Sequence, residues 1–264
     1  MDDAKFRQER EENIVKISED KELADFSREW CKKTGKYKYT YNFDWFGVPI
    51  IQFPNDMVAL QEIINIQQPD LIIETGVARG GSLVYSASLL AMLDLRDSLK
   101  SNSDYKMSRK VVGIDIDIRE HTHEILRNEP LSKYIELIEG SSIVQETVDK
   151  VSKFIPESGN VMVLLDSNHT HEHVLNELKF YSEFIPQDGY LLVYDTSIEF
   201  DDDVWEEGSI TNPNNRTWGP GNSPLSAIKE FLSFPSNKKF EIQKYQSSKL
   251  QISVCPDGFL KRIQ

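Results

Sequence analysis

The 264-residue chain has only two cysteines, Cys31 and Cys255. Two thiols so far apart exclude a disulfide framework, and no Cys-x-x-Cys pair exists to chelate zinc. Basic charge is short as well: 30 Lys and Arg stand against 43 Asp and Glu, a formal net charge of -13. General nucleic-acid and anionic-membrane surfaces need clustered cations, so the bulk charge argues against both. No apolar run approaches the roughly eighteen residues that cross a bilayer. The stretch Met1 to Glu12 is charged, without the apolar core of a secretory signal. The expectation is a cytoplasmic protein with no membrane span. What is present is ordinary globular chemistry, 39% hydrophobic and 10% aromatic, in a length at the upper end for one α/β domain.

Residues 1–40 carry sparse apolar positions (Ile14, Ile17, Leu23, Phe26, Trp30), the spacing of an amphipathic helical lead-in. Residues 41–264 then read as one domain. Its opening is aromatic, from Tyr37 to Gly47, and offers rings either to line a substrate cleft or to pack over the domain's open edge. Asn55 is placed to cap a helix running to Ile66. Apolar runs follow, each ending in a polar residue: Leu71–Ile73 at Glu74, Val111–Ile114 at Asp115, Tyr134–Ile138 at Gly140-Ser141-Ser142, Val161–Leu165 at Asp166, and Tyr190–Tyr194 at Asp195. Helical periodicity intervenes between them. That alternation predicts a Rossmann-like α/β fold: a mostly parallel twisted sheet with right-handed crossovers and helices on both faces. Residues 240–254 read as a closing antiparallel hairpin that turns at Ser247-Ser248, residues 102–108 as a flexible insertion, and residues 199–224 as a lid or binding loop.

Open α/β sheets bind ligands at the carboxyl ends of their strands, where these polar residues fall. The loop Glu74-Thr75-Gly76-Val77-Ala78-Arg79-Gly80-Gly81-Ser82 is the strongest signal, because its glycines let backbone approach a ligand closely. A carboxylate at Glu74 would repel a pyrophosphate yet accept a hydrogen bond from an amino-acid ammonium. That favours S-adenosylmethionine over NAD. Asp115 closes the next strand and is suited to a ribose diol; Asp117 either shares that task or is solvated. Ser141 and Ser142 follow the third strand, with Ser142 placed either for an adenine edge or for a helix cap.

Three of the five histidines alternate in Asp166-Ser167-Asn168-His169-Thr170-His171-Glu172-His173. Each helical step turns about 100°, so the three cannot converge on one zinc, and only His169 is expected to face the cleft. Asp166 and Asp195, from neighbouring strand ends, suit an oxygen-preferring cation such as Mg²⁺. His169 then stands as the general base, with a polar loop histidine as the bland alternative.

Four ordered blocks resemble the cephalosporin hydroxylase-like family. They are Trp45–Ile51 running on through Pro69–Gly76 and Gly80–Ser82, then Gly113–Arg119, Asp166–Leu175, and Trp218–Gly221. The resemblance implies a class I methyltransferase fold and S-adenosylmethionine-dependent O-methyl transfer to sugars or glycosylated small molecules, often by homo-oligomers. It also implies Mg²⁺ on Asp166 and on an acidic pair at the next strand, with His169 as base. Here that pair departs to Tyr194-Asp195, leaving one ligand missing or replaced by Thr196 or water. Two rivals remain: an NAD-type oxidoreductase on a similar sheet, and a non-catalytic S-adenosylmethionine-binding or assembly protein.

Overall fold

The computed structural model, described over residues 3–200 and 217–264, turns the alternating runs into one seven-stranded sheet. A short antiparallel pair, β1 (Phe43–Trp45) and β2 (Val48–Ile50), precedes it. The sheet strands are β3 (Leu71–Thr75), β4 (Lys110–Asp115), β5 (Ile135–Glu139), β6 (Val161–Leu165), β7 (Tyr190–Val193), β8 (Phe240–Ile242) and β9 (Phe259–Arg262). In space the order is β5-β4-β3-β6-β7-β9-β8. The first five pair in parallel, and β9 runs antiparallel between β7 and β8. Every residue of β3 and β6 is buried. Strands covered on both faces have no wet side, which is why their sequences are apolar runs without alternation.

Helices cover both faces: α1 (Asp3–Glu19), α2 (Lys21–Gly35), α3 (Pro54–Gln67), α4 (Gly81–Ser101), α5 (Glu120–Asn128), α6 (Gln145–Ser152), α7 (His171–Tyr181), α8 (Pro224–Ser233) and α9 (Lys244–Leu250). Two apolar cores result. Ile72, Met162, Leu164 and Leu192 face α3 and α4 with Leu60, Ile63, Leu83 and Leu90. Ile73, Val163, Leu165 and Leu191 face α6, α7 and α8 with Val148, Leu178, Ile228 and Phe231. The chain order reverses between β3 and β6, so the crevice expected of such a sheet opens where those two strands end.

Two sequence expectations change. Asn55 is not the N-cap of α3; Phe53 occupies that position and Pro54 the first turn, where proline has no N–H to satisfy. The closing strands do not turn at Ser247-Ser248, which lie inside α9. Gln246 and Leu250, four residues apart, are both buried, a helical spacing masked by the polar residues between them. Beyond α9, Asp56 accepts from Ser253 Oγ (2.6 Å) and Val254 N (2.9 Å), tying that segment to α3, so the second strand begins only at Phe259. The segment 102–108 is anchored at its end, where Ser108 donates to Asp94 through N (2.9 Å) and Oγ (2.7 Å). Of the loop expected at 199–224, residues 201–216 lie outside the described residues. The aromatic segment is packed in part: Tyr39 meets Trp30 and Phe43 edge-on at 5.1 and 5.2 Å, and Trp45 meets Tyr85 at 4.8 Å, while Tyr37, Tyr41 and Phe46 are exposed.

Candidate active site

The glycine loop folds as it does because two backbones crowd it. A Cβ on Gly76 (φ +89°) would sit 2.0 Å from the Asp166 carbonyl oxygen, and one on Gly81 would sit 2.2 Å from that of Pro49. Only glycine lets β3 run this close to the end of β6 while α4 starts against β2. Asp115, at the end of β4, holds the loop from the other side. Its Oδ2 accepts from Val77 N (2.9 Å) and Ala78 N (3.4 Å), and its Oδ1 from Asp117 N (3.2 Å). Three bonds occupy a carboxylate that offers about four lone-pair sites, so room for one further donor remains. Asp117 and Arg79 are exposed beside it.

Strand register sets which side chains meet. Glu74 pairs with Leu164 and Leu164 with Leu192. The period of two then places Glu74, Asp166 and Tyr194 on one face, toward α3 and α4. They line a small cavity with Gln52, Ser82 and Tyr85, about 10 Å³ of room for water centres, which is space for roughly one water. Glu74 is buried, and its Oε1 accepts from Ser82 Oγ. Burial pushes its carboxyl up to about 7, a shift that the Ser82 bond only partly offsets. Burial likewise raises the Asp166 carboxyl well above the carboxylate range, and the charges of Asp195 and Glu74 add to it.

Beside this cavity Asp166, His169 and Asp195 bring one ligand atom each within 4.8 Å of one another. His169 Nε2 lies 3.3 Å from Asp195 Oδ2, and its ring meets Trp218 edge-on at 4.9 Å. Asp195 is left-handed (φ +54°), a conformation aspartate tolerates better than most residues; this sharp turn ends β7 beside His169. The other two histidines diverge. His171 reaches Ser226 Oγ (2.7 Å) and Glu230 Oε2 (2.8 Å) on α8, while His173 lies near Ser142, Ser167 and Glu177.

Two candidate residues are placed differently from expectation. Ser142 is not a helix cap, since Val144 holds that position before α6. The Ser142 hydroxyl donates to Glu177 Oε1 (2.6 Å), leaving it only lone pairs for an adenine edge; Ser141 is half-buried beside it. Thr196 does not replace a missing ligand, because it is fully buried and donates to the Pro256 carbonyl (2.6 Å). Tyr194 offers no anion either. Burial pushes its phenol far up, so it stays neutral. Gln52, the Trp218 ring against His169, and the Asp56 anchor escaped the sequence reading. For Gln52 a signal existed, a lone polar residue in the apolar stretch Val48–Phe53.

A profile of the rhamnosyl O-methyltransferase/CmcI family matches residues 37–263. The rhamnosyl O-methyltransferase of Mycobacterium tuberculosis (strain H37Rv) is 27% identical over 223 residues, covering 83% of this chain and 77% of that protein. Among solved structures, CmcI with Mg and SAM superposes with a TM-score of 0.53 at 16% identity, over 85% of this chain and 78% of that one. A caffeoyl-CoA O-methyltransferase-like protein from Staphylococcus aureus gives 0.52 at 12% identity, over 90% and 91%. At such identities the superpositions establish the class I methyltransferase fold and nothing finer. The family match spans every strand of the described sheet and its strand-end carboxylates, and by it the chain belongs to the rhamnosyl O-methyltransferase/CmcI family.

Proposed function

We propose that the protein transfers the methyl group of S-adenosylmethionine to a hydroxyl of a sugar or glycosylated small molecule. The observation that carries this is the convergence of Asp166, His169 and Asp195 within 4.8 Å, beside the glycine loop at the switch point of the sheet. Family membership and the names of the relatives support the same reaction. They also weigh against an NAD-type oxidoreductase.

The residues present fit the cofactor. Glu74 Oε2 is buried without a partner among the described residues, which suits an ammonium donor. Asp115 retains acceptor capacity for a ribose hydroxyl, and Gly76, Val77, Gly80, Gly81 and Ser82 form the loop that would carry the cofactor, with Arg79, Asp117, Ser141 and Ser142 around it. They also fit a hard divalent cation, for which Asp166 and Asp195 supply carboxylate oxygens; a relative of this family is known with Mg and SAM. When bound, the cofactor supplies an electrophilic sulfonium methyl, and the cation supplies charge that acidifies a hydroxyl.

The chain's own residues do the rest. His169, whose Nε2 lies 3.3 Å from Asp195 Oδ2, is the imidazole that takes the acceptor's proton. Asp195 orients that ring and stabilises it once protonated. Trp218 limits its swing. The loop at 199–224 and the segment at 37–46 would cover the acceptor and exclude water. Residues 1–40 would form a helical lead-in to the methyltransferase domain at 41–264, and the working form would be a homo-oligomer.

The spacing also admits His169 as a third metal ligand, which would shift preference from Mg²⁺ toward Mn²⁺, since imidazole suits transition metals. Turnover with isotope-labelled S-adenosylmethionine, Mg²⁺ and a panel of rhamnosides and other glycosides tests the reaction, with the methylated product read by mass spectrometry. Product formed by the wild type and abolished in His169→Ala is expected. Cofactor binding without turnover on any glycoside would favour the non-catalytic rival. Unchanged Mn²⁺ affinity in His169→Ala supports the base; a loss beyond the roughly ten- to hundred-fold that a residue contacting only the ligand Asp195 would cost makes it a ligand.

A further inference from the structure

A buried amide that nothing in the reaction uses stands over the cofactor loop. Gln52, seven per cent exposed, follows β2 and lines the same cavity as Glu74 and Asp166. Its Nε2 donates to Asp166 Oδ2 at 3.3 Å. With Nε2 turned to Asp166, the amide's carbonyl oxygen is left on the other side. That oxygen, Gln52 Oε1, is buried and has no partner among the described residues, and the same holds for Glu74 Oε2 in the same cavity. Ser82, the hydroxyl nearest to Glu74, already gives its proton to Glu74 Oε1. Tyr85 gives its own to the Met57 carbonyl. The space thus holds two buried acceptors with neither of these hydroxyl protons to spare for them.

Buried acceptors left unpaired are costly and therefore rare, and two facing one small cavity mark the place of an absent donor. The donor must be compact, must bring at least two hydrogens, and is favoured by the neighbouring carboxylates if it is positive. A primary ammonium meets all three conditions. We propose that Gln52 is a cofactor-binding residue whose carbonyl, together with Glu74, receives the ammonium of the cofactor's amino-acid end. Gln52 then links two subsites, since the same amide holds Asp166 through its other end. This inference rests on the S-adenosylmethionine assignment above.

The test is calorimetric binding to the full-length protein, without turnover. The ligands are S-adenosylhomocysteine, its analogue lacking only the amino group, and 5'-methylthioadenosine, which lacks the amino-acid end. Gln52→Met removes the carbonyl at nearly constant volume. Its affinity for S-adenosylhomocysteine is expected to fall roughly ten- to hundred-fold, the range of a hydrogen bond to a charged group. Its affinity for the deaminated analogue and for 5'-methylthioadenosine is expected to stay within about two-fold. Equal losses for all three ligands would make Gln52 a merely structural residue, and no loss for S-adenosylhomocysteine would mean that the cavity holds water only. Either result overturns the proposal while leaving the cofactor assignment intact. Failure of the wild type to bind S-adenosylhomocysteine at all would sink the cofactor assignment first. If Gln52→Met does not fold, Gln52→Asn withdraws the carbonyl by one methylene, and the same pattern is expected of it.

Discussion

Buried carboxylates occur at both ends of this sheet, and the two ends treat them in opposite ways. Where β4 begins, Asp94 accepts from Arg109 Nη1 (2.5 Å), Ser108 N and Oγ, and Tyr134 OH (2.9 Å). Arg109 also reaches Asp97 at 2.7 Å. Burial alone would push Asp94 up, but these donors hold it below the usual range. Where β3, β6 and β7 end, no such cation is supplied to Glu74 and Asp166 among the described residues, and both are held high instead. The first arrangement is complete without any ligand. The second is an electrostatic deficit that a cationic cofactor and a divalent metal would fill, which is the pattern expected of functional rather than structural ionisable groups.

The comparison breaks most readily by substitution. His169→Ala is expected to reduce turnover by about 10²- to 10⁴-fold, the usual range for a lost general base. Asp166→Asn should be comparably inactive yet melt no lower than the wild type, because it removes a charge that its neighbours repel. A clear drop in its melting temperature would show that the deficit at this end is imaginary. At the other end, Arg109→Met strands Asp94 and is expected to cost about 3–5 kcal/mol of stability, measured by urea unfolding. Its turnover per folded molecule should not change.

Acidity offers a third, smaller contrast. A group whose folded pKa is raised stabilises the fold fully below its unfolded pKa and loses that contribution as pH rises through the folded value. Glu74, moved from 4.5 to about 7, should therefore make the ligand-free protein less stable between pH 5 and 8, by up to about 3 kcal/mol. Asp94 has the opposite sign: its contribution is present above the ordinary aspartate range and lost on acidification. Melting curves of Glu74→Gln should show the first dependence weakened to the part that Asp166 contributes, and keep the second. Saturating S-adenosylhomocysteine should flatten the wild-type curve toward the variant's, since an ammonium favours the ionised carboxylate.

Much of this was legible in the chain because parallel strands covered on both faces write themselves as apolar runs that end in polar residues. Leu71–Ile73 with Glu74 and Val161–Leu165 with Asp166 are such cases, and the crevice follows from them. What escaped depends on chain segments distant in sequence. Nothing near Ser253 says that Asp56, 197 residues earlier, will draw that segment off the sheet. Ser142 looked free to meet a ligand because Glu177 is on another element. Gln52 reads as an ordinary polar residue until strand register brings Asp166 under it. The hairpin was misplaced for a local reason, since two serines resembled a turn while the burial of Gln246 and Leu250 made a helix.

The smallest expected effect concerns how His169 is held. Trp218 precedes a tight turn in which Gly219 and Asn222 exchange backbone hydrogen bonds at 3.0 and 2.9 Å. Asn222 accepts from His171 N (2.9 Å), and Glu199 accepts from Gly221 N (2.9 Å) and Ser223 Oγ (2.5 Å). The turn is thereby fastened to α7 and to the segment after β7, so the indole edge-on to His169 is held from both sides of the site. An aromatic pair of this kind contributes about 0.5–1.5 kcal/mol beyond its buried area. Trp218→Leu should accordingly lower kcat by about two- to ten-fold, with little change in the affinity for S-adenosylhomocysteine, because the cofactor cavity lies on the other side of Asp166. A loss as deep as that of His169→Ala would mean that the indole touches the acceptor itself. No loss at all would mean that Asp195 alone is enough to orient the imidazole.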